Sequence, residues 1–303
     1  MMIEKSMIGM FVGDALGAQV EFKSKERIRS YFEEKGDFDM FDGGTFNLVK
    51  GQVTDDSEMA IALIRSFAEM GDDYDHQIAR KWYKKWINTS PFDYGTTTSD
   101  ALWHGEYNYD SQANGALMRC APLAWKYRNR SLTYLMKVAE EDCKITHPNK
   151  VCIDANKVYL AIMYYMMHGY MPCKAYNAVC DELFFHQYNI CEEVQIIMTY
   201  AKERNIKDFE TNQGWVLIAL HNALYHLWNY TSFEKAMKET IFSGGDTDTN
   251  ACICGALIGM WNEIPSKWHD AVKGCEPNTK ARHSRPEWLW TSKWYELMNI
   301  IEK

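Results

Sequence analysis

The run Ala251-Cys252-Ile253-Cys254-Gly255-Ala256-Leu257-Ile258-Gly259-Met260-Trp261 carries no charged side chain. As a helix it is buried on most of its faces, so the rest of the chain must be wrapped around it. Directly before it stands Ser243-Gly244-Gly245-Asp246-Thr247-Asp248-Thr249-Asn250, which puts an acidic cluster at the N-terminus of that helix. The glycines allow tight turns and close approach of a ligand. A helix cap accounts for one aspartate, which satisfies free N–H groups and complements the dipole, but not for a second. A calcium-binding loop fits Asp246, Asp248 and Asn250 and then fails. Ala251 stands where that loop needs glycine, and Leu257 where it needs a bidentate glutamate.

Far upstream, Thr54-Asp55-Asp56-Ser57-Glu58 opens a second apolar-periodic helix, through Met59, Ile61, Leu63, Ile64 and Phe67 to Gly71. Carboxylates from two such helix starts, gathered at one place, raise one another's pKa values unless cations neutralise them. Ligands made of oxygen alone favour magnesium, manganese or calcium.

A chain of 303 residues, 47% hydrophobic and 24% charged, can bury a large core. The formal net charge of −8 argues against a general nucleic-acid or anionic-membrane binder, since those need a basic surface. Nine cysteines are scattered without close pairs, some of them inside apolar runs as Cys252 and Cys254 are, which reads as reduced thiols in a cytoplasmic protein. Lys5 followed by Met7 to Gly13 loosely imitates a signal peptide, but Glu4 and Asp14 interrupt it. An amphipathic helix ending near Glu21 is the better reading. No stretch approaches the roughly 20 apolar residues of a spanning helix. The expectation is a soluble monomer that meets neither nucleic acid nor membrane.

Helical periodicity recurs along the chain, over residues 5–20, 24–35, 55–70, 74–88, 96–105, 131–144, 150–168, 174–186, 191–205, 213–228 and 232–241. With no alternating strand run and no Gly/Pro/Ser-rich linker, residues 1–303 read as a single compact all-α multi-helix domain. Trp82 and Trp86, at i and i+4, share a core-facing stripe. The loop 36–53, with Gly43-Gly44 and Gly51, delivers the chain to Thr54. Asn114-Gly115-Ala116-Leu117-Met118-Arg119 leads into an apolar segment, where backbone N–H groups can meet an anion. Thr146-His147-Pro148-Asn149 separates two helices, and a lone loop histidine is ordinarily a surface residue. Beyond Pro265 a loop and short helix end in Arg282-His283-Ser284-Arg285, and Pro286 fits N1 of a terminal helix carrying Trp288, Leu289, Trp290 and Trp294.

Five of these segments, taken in order, resemble the ADP-ribosylglycohydrolase family: Gly13-Asp14-Ala15-Leu16-Gly17 with Glu21, Thr54-Asp55-Asp56-Ser57, Asn114 to Arg119, Thr146-His147-Pro148 and Gly244 to Asn250. The resemblance implies an all-α fold with two divalent ions, Mg²⁺ or Mn²⁺, in a cleft. On it, Thr54, Asp55, Asp56, Asp246, Asp248 and Thr249 stand as metal ligands. Asp55, Asp56 and Glu21 stand as catalytic residues, with Asp55 or Asp56 taking a proton from water. Asn114, Gly115, Met118, His147, Ser243, Gly244 and Gly245 stand against the ADP-ribose. Ser57 occupies a position where many members have threonine, which keeps the hydroxyl.

The implied reaction is hydrolysis at C1″ of the ribose distal to adenine, through a transition state with oxocarbenium character. The implied partner is an ADP-ribosylated protein or an ADP-ribose conjugate, and mono-ADP-ribose on arginine is the preferred linkage. Two alternatives stay open: hydrolysis of another linkage, such as serine or a small conjugate, and an inactive relative that binds ADP-ribose or serves a structural role. Loss of a metal carboxylate would have pointed to the last of these, and none is lost.

Overall fold

A computed structural model describes residues 2–203 and 208–303. These form α1 (Met2–Gly17), α2 (Lys25–Lys35), α3 (Asp55–Phe67), α4 (His76–Ile87), α5 (Thr96–Ser99), α6 (Ala121–Lys126), α7 (Leu132–Cys143), α8 (Lys150–Met167), α9 (Pro172–Val179), α10 (Glu182–Tyr188), α11 (Glu192–Tyr200), α12 (Val216–Trp228), α13 (Phe233–Ile241), α14 (Thr247–Gly259), α15 (Ser266–Lys273) and α16 (Trp294–Glu302). Strand pairing among the described residues is confined to the isolated bridges Gly43–Leu48 and Ala113–Trp215. The all-α reading is therefore met.

The centre of the fold is the pair α1 and α14. Gly9 faces Gly255, Gly13 faces Ala251 and Gly17 faces Asp248, each with its Cα against the other helix's backbone. As numbers rise along one helix they fall along the other, so the two run antiparallel. Side chains at Gly9 and Gly13 would overlap the carbonyl oxygens opposite, so only glycine permits this spacing. Every residue of α14 is buried, as are Ser6 to Gly17 of α1. The first helix is thus buried on nearly every face rather than amphipathic as expected. It is a second central helix, and it stops at Gly17 rather than near Glu21. The antiparallel contact sets the C-terminal end of α1 beside the N-terminal end of α14, which places the site.

Around this pair the chain follows most of the expected helices, and the departures are local. The expected 96–105 helix, for one, is α only over Thr96–Ser99 and continues as a π-helical turn, Asp100–His104. The segment 174–186 divides at Cys180-Asp181 into α9 and α10, where the Asp181 carbonyl accepts from Phe184 N and starts a new turn. α11 stops at Tyr200, and the end of the expected 191–205 helix falls partly outside the described residues. Trp86 is buried, but Trp82 is only partly so and packs edge-on against Trp288, 5.6 Å between ring centres. Pro286 does not begin the terminal helix. It precedes a 3₁₀ turn, Glu287–Leu289, and the extended backbone of Trp290 postpones α16 to Trp294.

The nine cysteines are thiols rather than disulfide halves, as expected. Among the described residues no helix is long and apolar enough to cross a membrane.

Candidate active site

Three helix ends meet at the site: the C-terminal end of α1, the start of α3 and the start of α14. The Thr247 hydroxyl donates to the Gly17 carbonyl at 2.8 Å, which locks α14 to α1. Asp14 does the same for α3. Its carboxylate accepts from Thr54 N at 2.9 Å, from Ser57 N at 3.0 Å and lies 3.0 Å from the Thr54 hydroxyl. Thr54 holds the cap position of α3 without capping it through its own side chain. The first-turn N–H groups are satisfied instead by an aspartate from another helix, where an anion also complements the dipole.

This arrangement presents the acidic residues to one another. Carboxylate oxygens of Asp14, Asp56 and Asp248 lie within 4.8 Å of each other, and so do those of Glu21, Asp246 and Asp248. Asp248 belongs to both groups. Asp56 Oδ2 is 3.0 Å from the Thr54 hydroxyl and 3.4 Å from that of Thr249. Asn114 Nδ2 donates to Asp246 Oδ2 at 2.8 Å, and Thr249 N to Asp248 Oδ1 at 2.9 Å. Asp56 Oδ1 and Glu21 Oε2 are buried without a hydrogen-bond partner.

Burial is the first cause that raises every one of these acids, and neighbouring carboxylates add to it at most of them. Asp55, Asp56 and Asp248 lie well above the usual range, Glu21 is raised to about 10 and Asp14 to about 6. So many buried carboxylates at one point cannot all ionise without compensating charge. A donor set of oxygen alone, with two oxygens aimed at nothing in the protein, fits hard divalent cations.

Above this floor lies a cleft of about 260 Å³. Glu21, Asp55, Asp246, Asp248 and Thr249 line it, together with Asn114, Gly115, Met118 and His147. Thr54 and Asp56 are not part of the lining and sit behind it, buried. Ser243, Gly244 and Gly245 do not line it either. The Ser243 hydroxyl donates to the Glu239 carbonyl, Gly244 packs on the Glu210 side chain, and Gly245 fits tightly against the Phe209 carbonyl. Gly245 also accepts from Phe22 N at 2.9 Å. At φ values of 76° and 74° the two glycines form the left-handed turn that aims α14, so their part is to deliver Asp246 and Asp248.

His147 is not the surface residue that its loop suggested. It is buried, its Nδ1 lies 2.8 Å from the Thr146 hydroxyl, and burial with nearby Arg119 pushes its pKa down to about 3. Both causes favour the neutral ring. It lies so close to Gly115 that a Cβ there would come within 2.9 Å of its Cε1.

Two further residues carry the site without having stood out in the sequence as its members. Asp14 stood in the first of the family motifs but was given no part in the site. Asp93 follows α4 in a loop without periodicity, yet it lines the cleft, and burial with Asp246 and Asp14 raises its pKa to about 7. Beside it, Tyr94 and Trp103 stack edge to face at 5.2 Å, both partly exposed. A second cavity of about 500 Å³, lined by Gln112, Asn212, Gly214 and Trp215 among others, shares Ala113 with the cleft.

Comparison with known proteins agrees with this geometry. Residues 3–295 match the family model described as ADP-ribosylglycohydrolase. The chain is 27% identical over 287 residues to the ADP-ribosylarginine hydrolase Tri1 of Serratia proteamaculans, covering 88% of this chain and 74% of that one. It is 27% identical over 275 residues to the ADP-ribosyl-(dinitrogen reductase) glycohydrolase of Rhodospirillum rubrum, covering 87% of each. A solved structure titled ADP-ribosylglycohydrolase-related protein complex superimposes with a TM-score of 0.73 at 23% identity, over 99% of this chain and 96% of that one, and so shares the fold. With the family model spanning nearly its whole length, the chain belongs to the ADP-ribosylglycohydrolase family.

Proposed function

We propose that this protein is a metal-dependent hydrolase that removes mono-ADP-ribose from arginine side chains by cleaving the bond at C1″ of the distal ribose. The observation that carries the reading is Asp248, whose carboxylate belongs to two oxygen clusters at the floor of a cleft wide enough for a sugar. Thr54, Asp55, Asp56, Asp246, Asp248 and Thr249, with Glu21, are the residues that would hold two divalent ions, Mg²⁺ or Mn²⁺. Bound there, such ions neutralise the carboxylates, polarise ribose oxygens and lower the pKa of water.

The remaining steps belong to the protein. Asp55 lines the cleft whereas Asp56 lies behind it, so Asp55 is the carboxylate placed to take a proton from the attacking water, with Glu21 beside it. Water oxygen bonds to C1″ as the C1″–N bond breaks, and the water's proton ends on the departing guanidine. Neutral His147, Gly115 and Met118 form the wall against the nucleotide, and Asn114 holds Asp246 while facing the same space. The adjoining cavity at Ala113 and Trp215 offers room for the part of ADP-ribose that the cleft does not hold.

Asp93 bears on the leaving group. A carboxylate here offers charge-assisted hydrogen bonds to a guanidinium, and the negative field of the cleft favours a cationic side chain. One of the relatives bears on the same point, since it is named an ADP-ribosylarginine hydrolase. The same Asp93, with a pKa near neutrality, also supplies the proton donor that a serine alkoxide would need. Serine linkage is therefore the second reading. Mass spectrometry of ADP-ribose released from matched Arg-, Ser- and Asp/Glu-linked peptides separates them. The arginine rate is expected to lead, and a serine rate equal to or above it overturns the choice.

A further inference from the structure

The segment 282–286 touches the start of α3 on one side and the loop 88–95 on the other without lining the cleft. Its backbone is held first. Arg285 N donates to the Pro277 carbonyl at 2.7 Å, and the Trp290 indole donates to the Arg285 carbonyl at 2.7 Å. From this anchor the buried guanidinium reaches in two directions. Nε and a terminal nitrogen donate to the two oxygens of Glu58 at 2.6 and 2.8 Å, a bidentate pair one turn beyond Asp55 on α3. The same terminal nitrogen donates to the Thr89 hydroxyl at 2.6 Å, and the other lies 3.4 Å from the Thr89 carbonyl.

The neighbouring residue extends the grip. The His283 carbonyl accepts from Gln52 Nε2 at 2.8 Å, and its ring lies 4.7 Å from that of Phe92. Gln52 and Glu58 bracket Thr54-Asp55-Asp56, while Thr89 and Phe92 stand on the near side of Asp93. An isolated buried ion pair contributes little to stability compared with apolar packing. A planar fork that ties two functional elements to one rigid point has another use, because a misplacement of about 1 Å at a reacting group costs rate rather than fold.

We infer that Arg285 is a positioning residue, fixing the Asp93-bearing loop 88–95 against the first turn of α3 so that the cleft wall keeps its distance from Asp55. The inference rests on reading the cleft as the active site. Thr89→Val removes the hydroxyl that Arg285 holds on the loop, and with it that hydroxyl's bond to the Trp86 carbonyl at 2.7 Å, while the Arg285–Glu58 pair stays complete. Arg285→Lys leaves the Trp86 bond in place, so a loss shared by both variants belongs to the Arg285 contact. Thr89→Ser restores the hydroxyl, and Arg285→Lys keeps the charge but loses the fork.

The three variants are compared with the wild type by Mn²⁺ titration calorimetry, amide hydrogen exchange over residues 88–95 and initial rates on an arginine-linked ADP-ribosyl peptide. The expected result for Thr89→Val is unchanged Mn²⁺ affinity, faster exchange confined to 88–95 and a kcat lowered about tenfold or more. Thr89→Ser should recover both exchange and rate, and Arg285→Lys should behave as Thr89→Val does. Wild-type kcat in Thr89→Val, or a lost rate with exchange in 88–95 unaltered, overturns the inference. So does a fall in Mn²⁺ affinity equal to the fall in rate, since that describes a general loss of structure. A wild-type protein that releases ADP-ribose from no linkage sinks the proposed function instead, and the exchange data still decide whether Arg285 holds the loop.

Discussion

Asp14 caps a helix to which it does not belong: its carboxylate accepts from Thr54 N at 2.9 Å and from Ser57 N at 3.0 Å, at the start of α3. Asp14→Ala leaves those donors buried and unpaired at a cost of about 1–3 kcal/mol, partly offset by removal of a buried acid whose pKa is already raised. The larger effect is expected on cation binding, since Asp55 and Asp56 ride on that first turn. Mn²⁺ affinity should fall about tenfold or more, as it does when outer partners of ligands are removed. Unchanged affinity by calorimetry would show that α3 holds its place without Asp14.

Gly13→Ala pushes a methyl group into the Ala251 carbonyl across the α1–α14 contact. Two backbones must separate, so the variant should lose about 2–3 kcal/mol in urea denaturation, the upper end for overpacking. Gly71→Ala is the control, because nothing lies near its added methyl, and it should stay within about 0.5 kcal/mol of the parent. Equal losses in the two would mean that the spacing of α1 and α14 is not set by glycine.

Much of this was legible from periodicity and from paired acidic helix starts. Apolar residues at helical spacing mark most of the helices, and the paired acids Asp55-Asp56 and Asp246-Asp248 point to one shared acidic cluster before any contact is known. Contacts across the chain were not legible. Gly13 and Gly17 were visible in a family motif, but their partners at Ala251 and Asp248 lie far along the sequence. His147 looked like a surface residue because Pro148 and Asn149 follow it, and nothing local says that Gly115 packs under its ring. Asp93 stands alone between Phe92 and Tyr94, so only the folding of the 88–95 loop onto α3 makes it part of the cleft. The Ser243-Gly244-Gly245 turn reads as a ligand loop by composition, although its positive-φ glycines serve to aim α14.

Asp56→Asn and Asp248→Asn each remove one charge from a cluster in which burial and like charges oppose ionisation. In chelator both variants should melt at or above the wild-type temperature, because the unneutralised cluster is strained by its own carboxylates. Turnover should fall at least about a hundredfold, the scale seen when preorganised charge is lost from an active site. Near wild-type rates in either variant would remove that residue from the chemistry.

The metal-free protein should grow more stable as the pH falls from about 8 to about 6. Asp93 at about 7, Asp14 at about 6 and Glu21 at about 10 all hold protons more tightly folded than unfolded. Their stabilisation is present at low pH and is lost as the pH rises through those folded values. His147 works the other way, since its pKa of about 3 means that the unfolded state gains a proton first below about pH 6.5. Saturating Mn²⁺ should reverse the trend between about pH 6 and 8, because cations bind the deprotonated ligands. A chelated protein whose melting temperature rises with pH over that range contradicts the assignment.

Cation-dependent hydrolysis at the two carboxylate clusters that share Asp248 can be read in one rate. The protein is stripped with chelator, and release of ADP-ribose from an arginine-linked peptide is followed by mass spectrometry before and after Mn²⁺ or Mg²⁺ is returned. No measurable release is expected in chelator, with full recovery on addition of the ion and no recovery in Asp248→Asn. Full turnover by the stripped protein, or recovery in the Asp248 variant, would contradict it.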